Sequence, residues 1–147
     1  MIVVRRVDNT DPLVQLALRE MDKECFDAKK DASPSVETGT WWVAYDGKAP
    51  AGYCCLRESQ SQPGWGYMSR AGVVEKYRGR GLQKRMIKTR LTHAKKLKMK
   101  GVVSDTAKYN VASSNSLIAC GFKLYRPEWP WSFESALYWR VPLTPSR

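Results

Sequence analysis

The segment VVEKYRGRGLQKRM, residues 73–86, constrains this chain more than any other stretch. Two valines end an extended run, Arg78-Gly79-Arg80-Gly81 makes a polar turn, and a basic segment with helical spacing follows. A strand that passes through glycines into the start of a helix leaves several backbone N–H groups unpaired and pointing one way. The helix dipole adds about half a positive charge there, so anionic oxygens are well accommodated. Glycine allows positive φ and lets a ligand come close to the backbone. Arg78, Arg80, Lys84 and Arg85 stand nearby as cationic donors. The plainer alternative is a loose turn before a charged surface helix.

The flanking sequence bears on that choice. IVVRRV (2–7) reads as a strand, and Asp11-Pro12 opens a helix with Leu13, Leu16, Ala17, Met21 and Cys25 as its apolar face. A polar loop is expected over 27–39, then a hairpin of TWWVAYD (40–46) and APAGYCCLRE (49–58). In GWGYMSRAGVV (64–74), Trp65, Tyr67, Ser69, Ala71 and Val73 alternate onto one face of a long strand. A helix is predicted from Gly81 to about Lys98, with Leu82, Met86, Ile87, Leu91, Ala94 and Leu97 inward and Lys84, Arg85, Lys88, Arg90, Lys95, Lys96 and Lys98 outward. GVVSD (101–105) is a strand, Ser113 or Ser114 caps a short helix closed by Gly121, and 122–126 and 135–141 are the last strands. The order β-α-β-β-β-α-β-α-β-β describes one α+β domain over 1–147.

Composition narrows the function classes. Of 147 residues, 43% are hydrophobic and 27% charged, as in soluble globular domains. No apolar run approaches the roughly 20 residues of a membrane span, and the N-terminus lacks a signal-peptide pattern. Cys25, Cys54, Cys55 and Cys120 show no C-x-x-C spacing and read as small buried residues, Cys54 and Cys55 facing opposite ways. With a single histidine, His93, no metal site is expected. A reducing, cytoplasmic setting follows. The 25 Lys and Arg against 14 Asp and Glu, a net charge of +11, favour an anionic partner or a basic solvated surface.

Among phosphate-binding motifs, G-x-x-x-x-G-K-[ST] does not occur, and a G-x-G-x-x-G fingerprint fails because Lys84 stands at its third glycine. The arrangement instead resembles the GCN5-related N-acetyltransferase (GNAT) superfamily. That family carries [QR]-x-x-G-x-[GA] at a strand-to-helix turn, matched here by Arg78, Gly81 and, as a departure, Gln83 in VVEKYRGRGLQ. A second family pattern, N-x-x-[AS]-x-x-x-Y-x-x-x-G-F, is matched by Asn110, Ser113, Gly121 and Phe122, with Leu117 in place of the tyrosine. The element order over about 1–141 agrees too.

The resemblance implies an acyl-CoA N-acyltransferase fold with a mixed sheet of about six or seven strands. It implies acetyl-coenzyme A as donor and a primary amine of a small molecule or protein as acceptor. The backbone of 78–83 (Arg78, Gly79, Arg80, Gly81, Leu82, Gln83) would hold pyrophosphate. Ala71, Gly72 and Val73 would run beside the pantetheine arm, with Asn110 and Ser113 on the opposite wall. Lys84, Arg85 and Lys88 are candidates for the remaining phosphate, a solvated basic face being the alternative. The N–H of Val73 would receive oxyanion charge. A base must take the amine proton. Asp105 comes first for that role, ahead of Tyr67 and Glu58, the alternative being that Asp105 caps a turn.

Leu117 leaves the family's acid position without a hydroxyl; Tyr109 and Tyr125 are candidate substitutes, or core residues. The acceptor is expected where loop 27–39, Tyr67 and the aromatic loop 127–133 meet, with Trp129, Trp131, Phe133 and Trp139 as walls or as packing. The alternatives are a catalytically weak coenzyme A-binding relative and a nucleic-acid-binding protein. Nucleic acid is disfavoured as partner, because it leaves the glycine turn unexplained. No membrane partner is expected, and a homodimer stays open.

Overall fold

Cys54 and Cys55, neighbours in one strand, are each fully buried, and they belong to two different apolar clusters. They mark the centre of a sheet covered on both faces. In the computed structural model, which describes residues 1–27, 32–132 and 134–143, the strands are β1 (Ile2–Val7), β2 (Thr40–Asp46), β3 (Ala49–Glu58), β4 (Gly66–Val73), β5 (Gly101–Ala107), β6 (Lys123–Tyr125) and β7 (Ala136–Pro142). The helices are α1 (Pro12–Cys25), α2 (Leu82–Lys96) and α3 (Val111–Ala119), with a short 3-10 turn at Glu75–Tyr77. The element order is the one expected from the sequence.

The seven strands form one sheet in the order β1-β2-β3-β4-β5-β7-β6. Only β4 and β5 run parallel; every other pair is antiparallel. One face packs on α2 and α3 through Trp42, Leu56, Met68, Leu82, Met86, Ile87, Val102, Leu117 and Trp139. The other packs on α1 through Leu18, Met21, Trp41, Val43, Tyr53 and Cys55. All four cysteines are free thiols; Cys25 and Cys120 are only half-buried.

Several local expectations are corrected. The buried stripe of α1 is Val14, Leu18, Met21, Asp22 and Cys25, while Leu13 is 75% exposed and Leu16 and Ala17 also face outward. The apolar residues near the helix start supported two registers, and the sheet selected the second. α2 ends at Lys96, so Leu97 lies past the helix and is exposed, and Arg90, expected outward, is buried. α3 starts earlier than expected. Asn110 is its N-cap, its Oδ1 accepting from the Ser113 N–H at 3.2 Å, in place of a serine cap. Of loop 27–39, residues 28–31 lie outside the described residues. The remainder is pinned to the sheet: Val36 is fully buried, and Arg57 donates to Ser35 O at 2.7 Å and to Thr38 Oγ1.

Candidate active site

The site begins as an irregularity in β4. Cys55 pairs with Arg70 but Arg57 pairs with Tyr67, so two steps along β3 match three along β4. The extra residue is a bulge, and it turns the strand. Parallel pairing of β4 with β5 covers only Gly66–Met68 against Val102–Ser104, and beyond it the strands part. The bulge also splits the single face expected for this strand. Tyr67 lies on the α1 side, whereas Ala71 and Val73 pack toward the α2 side. The Val74 N–H donates to Ala51 O at 2.9 Å, and Gly72 pairs with Tyr53. By the alternation of an antiparallel ladder, the backbone groups of Ala71 and Val73 therefore point away from β3, into the gap. Val73 O there accepts from Arg78 Nε at 2.9 Å and from Cys25 Sγ at 3.5 Å.

At the outer end of the gap lies a hollow of about 690 Å³, walled by Ala71–Val73, the 78–84 turn and the start of α3. Gly79 and Gly81 have φ of 77° and 74°, and a Cβ at either would meet nothing within 4 Å. Backbone conformation, not crowding, requires glycine at both. Gly81 is the N-cap of α2 and supplies no side-chain cap. The first-turn N–H groups of Leu82, Gln83 and Lys84 are thus left for whatever occupies the hollow. Of the expected cations, Arg78 and Lys84 line it. Arg80 lies over the Tyr77 ring at 5.5 Å, and Arg85 donates to Ile2 O at 2.7 Å. Lys88 is exposed and outside the lining.

Deeper in the gap a second hollow, about 330 Å³, shares Phe26, Ala71, Gln83, Asn110 and Ser113 with the first. Asp105 opens into it, and strand β5 runs past Asp105 to Ala107, so this aspartate does not cap a turn. Its Oδ1 accepts from Tyr67 Oη at 2.6 Å and from Trp131 Nε1 at 3.1 Å. Burial first, then the adjacent Asp105 charge and hydrogen bond, push the Tyr67 phenol far above its ordinary range. Tyr67 therefore holds its proton and acts as donor to the carboxylate. Trp131 packs edge-on against both Tyr67 and Tyr138, with centroids 5.8 and 4.7 Å apart.

The other candidates separate. Glu58 is exposed at the end of β3 and lines neither hollow. Trp139 is 3% exposed and donates to Thr106 Oγ1 at 2.9 Å, so it is core, not an acceptor wall. Trp129, 72% exposed, borders a separate depression with Arg126, Glu128 and Arg140. Phe133 lies outside the described residues. Leu117 is buried on the inner hollow; Tyr109 sits at that hollow's exposed rim, and Tyr125 is turned away to Gln62. Among the described residues no cluster of three or more His, Cys, Asp or Glu is placed to hold a metal, and no helix is long and apolar enough to cross a membrane.

Two buried charged groups escaped the sequence reading. Asp22, on the inner stripe of α1, accepts from Arg70 Nε and Nη2 at 2.8 and 2.9 Å and from Tyr53 Oη at 2.5 Å. Arg70 also lies 3.8 Å over the Phe26 ring, beside the inner hollow. Arg90 lines that hollow from α2. Each had a signal, being four residues beyond a core position, Leu18 or Met86.

Curated protein sequences include none that matches the chain. Solved structures do. A chain of the NatC complex bound to Gag peptide and CoA superposes with a TM-score of 0.77 at 18% identity, covering 97% of this chain and 99% of that one. A Bacillus subtilis acetyltransferase in complex with CoA gives 0.77 at 18% identity, covering 98% and 100%. A Bacillus anthracis protein in complex with acetyl coenzyme A gives 0.71 at 17% identity, covering 98% of each chain. At such identities the likeness is one of fold. The sequence profile of the Acetyltransferase (GNAT) family matches residues 9–122, which takes in both hollows' walls from α1 to α3. Fold and profile agree over that span, and the chain belongs to the acetyltransferase (GNAT) family.

Proposed function

We propose that the protein transfers an acetyl group from acetyl-coenzyme A to a primary amine of a small molecule or protein. The observation that carries this reading is one continuous gap. It joins the uncapped N-terminus of α2 at Gly81, the inward backbone of Ala71 and Val73, and the Asp105 carboxylate. The donor set suits coenzyme A. Backbone N–H groups of the first turn, with Arg78 and Lys84, match pyrophosphate oxygens. The backbone groups of Ala71 and Val73 match the amides of the pantetheine arm.

Acetyl-coenzyme A supplies an activated acyl carbon in a thioester. The N–H of Val73 is directed to stabilise negative charge developing on that carbonyl oxygen. Arg78 on Val73 O holds the strand end that carries it. Asp105, oriented by Tyr67 and Trp131, takes the amine proton directly or through water. Leu117 offers no proton to the leaving thiolate. A thiol of pKa about 8.5 leaves without one.

Acetyl-coenzyme A should raise the melting temperature, as any ligand of the native state does. An amine and peptide panel read by release of free coenzyme A should identify the acceptor. No melting shift with acetyl-coenzyme A, together with salt-sensitive shifts by a DNA fragment, would overturn the reading in favour of a basic nucleic-acid-binding protein.

A further inference from the structure

Arg90 is 2% exposed, the most buried of the charged side chains that line the inner hollow. Its Nε donates to Met86 O at 3.2 Å and one terminal nitrogen to Cys55 O at 3.3 Å, both neutral carbonyls. None of the ion pairs among the described residues includes it. A buried guanidinium without a counter-charge is costly, and such groups are ordinarily paired. Its second terminal nitrogen takes no acceptor among the described residues. No described side-chain nitrogen is both sealed from solvent and unpaired, so this end of Arg90 opens on the hollow it lines.

We infer that the inner hollow accepts a donor acyl group ending in a carboxylate, with Arg90 as its counter-charge. The inference rests on the reading of the gap as an acyl-coenzyme A site. Gln83, Ile87 and Arg90 follow the i, i+4, i+7 spacing of one helix face, and all three line the hollow. Arg90 lies about 14 Å along α2 from Gly81, a depth suited to the far end of a pantetheine arm whose phosphates sit at the helix start. The planar guanidinium fits a carboxylate in two-point contact. A hollow of about 330 Å³ also has space for more than a two-carbon acyl chain. Arg90 and Asp105 both line this hollow, but Arg90 enters it from α2, the helix whose start meets the phosphates, and Asp105 from β5 with Tyr67 and Trp131. The acyl carboxylate thus belongs on the donor side and the amine on the Asp105 side.

The test is calorimetric titration of the full chain, without any amine, using coenzyme A, acetyl-, butyryl-, succinyl-, pentanoyl- and glutaryl-coenzyme A. The expected result is succinyl or glutaryl binding about tenfold or more tighter than the uncharged chain of equal length. Arg90→Met should abolish that ratio, and Arg90→Lys should keep part of it. Equal affinities of charged and uncharged chains in the wild type overturn the inference while leaving the donor reading intact. So does an Arg90→Met protein that weakens every coenzyme A species equally, which would make Arg90 only a tether for Cys55 O. Failure of the folded wild type to bind any coenzyme A species overturns the donor reading itself. Should Arg90→Met not fold, the wild-type ratio decides the question.

Discussion

Tyr67 Oη donates to Asp105 Oδ1 at 2.6 Å where β4 and β5 part, joining residues 38 apart in sequence. Trp131 closes the cluster from the β6–β7 connection. The carboxylate is thereby oriented by two donors, yet it still opens into the gap.

Asp105→Asn should lower turnover about a hundredfold with little change in acetyl-coenzyme A affinity. Tyr67→Phe, which only releases the carboxylate's orientation, should cost less. Steady-state rates across pH check both; an unaltered pH–rate profile in Asp105→Asn removes the aspartate from the proton-accepting role.

Gly81→Val should weaken acetyl-coenzyme A binding at least tenfold while costing about 1–3 kcal/mol in stability. A Cβ at this position meets nothing, so the stability cost comes from φ of 74° and the binding loss from distortion of the first turn of α2. Titration of the folded variant with coenzyme A, beside urea unfolding, separates the two; full affinity would show that the turn does not hold the phosphates.

Asp22→Ala removes a carboxylate that accepts from both Arg70 and Tyr53 inside the α1–sheet contact. Arg70 keeps its contacts with Ala32 O and the Phe26 ring, whereas Tyr53 Oη loses its acceptor inside the core, and about 1–3 kcal/mol of stability should be lost. Urea unfolding measures it. A loss below about 1 kcal/mol would mean that the network is well hydrated.

His93 sets an acid-side dependence. Its ring stands edge-on to Trp42, 5.2 Å between centroids. Burial first, then the charges of Arg6 and Lys96, hold its pKa below the ordinary 6.5. The unfolded chain therefore binds the proton more readily than the folded one, and stability falls as pH drops from about 6.5 through the lower folded value. Melting curves from about pH 7.5 to 5 should show the decline, shallower in His93→Gln; parallel curves for the two proteins would assign it to other groups.

The turn from Val73 to Gln83 was legible because its physics is local. Glycine at 79 and 81 permits the φ, and a helix start needs no distant partner to expose its N–H groups. The order of strands and helices was legible for a similar reason, since periodicity and turn residues act over a few positions. Misreadings occur where a second register was equally good. Leu13, Leu16 and Ala17 continue an apolar stripe as well as Val14 and Leu18 do, and only the sheet surface chose between them. Trp131 and Trp139 differ little by composition, but one meets Asp105 and the other Thr106.

By itself the sequence determined the glycine turn, the succession of elements and the family to which the chain belongs. Tertiary structure decided that a single extra residue in β4 breaks its pairing with β5 after Met68, which creates the gap. It also decided that Tyr67, Asp105 and Trp131 converge at one edge of that gap, and that Asp22 and Arg90 are buried. The reason is physical: register between strands and the depth of a helix face depend on surfaces contributed by distant segments, and a charge reads as exposed until those surfaces close over it.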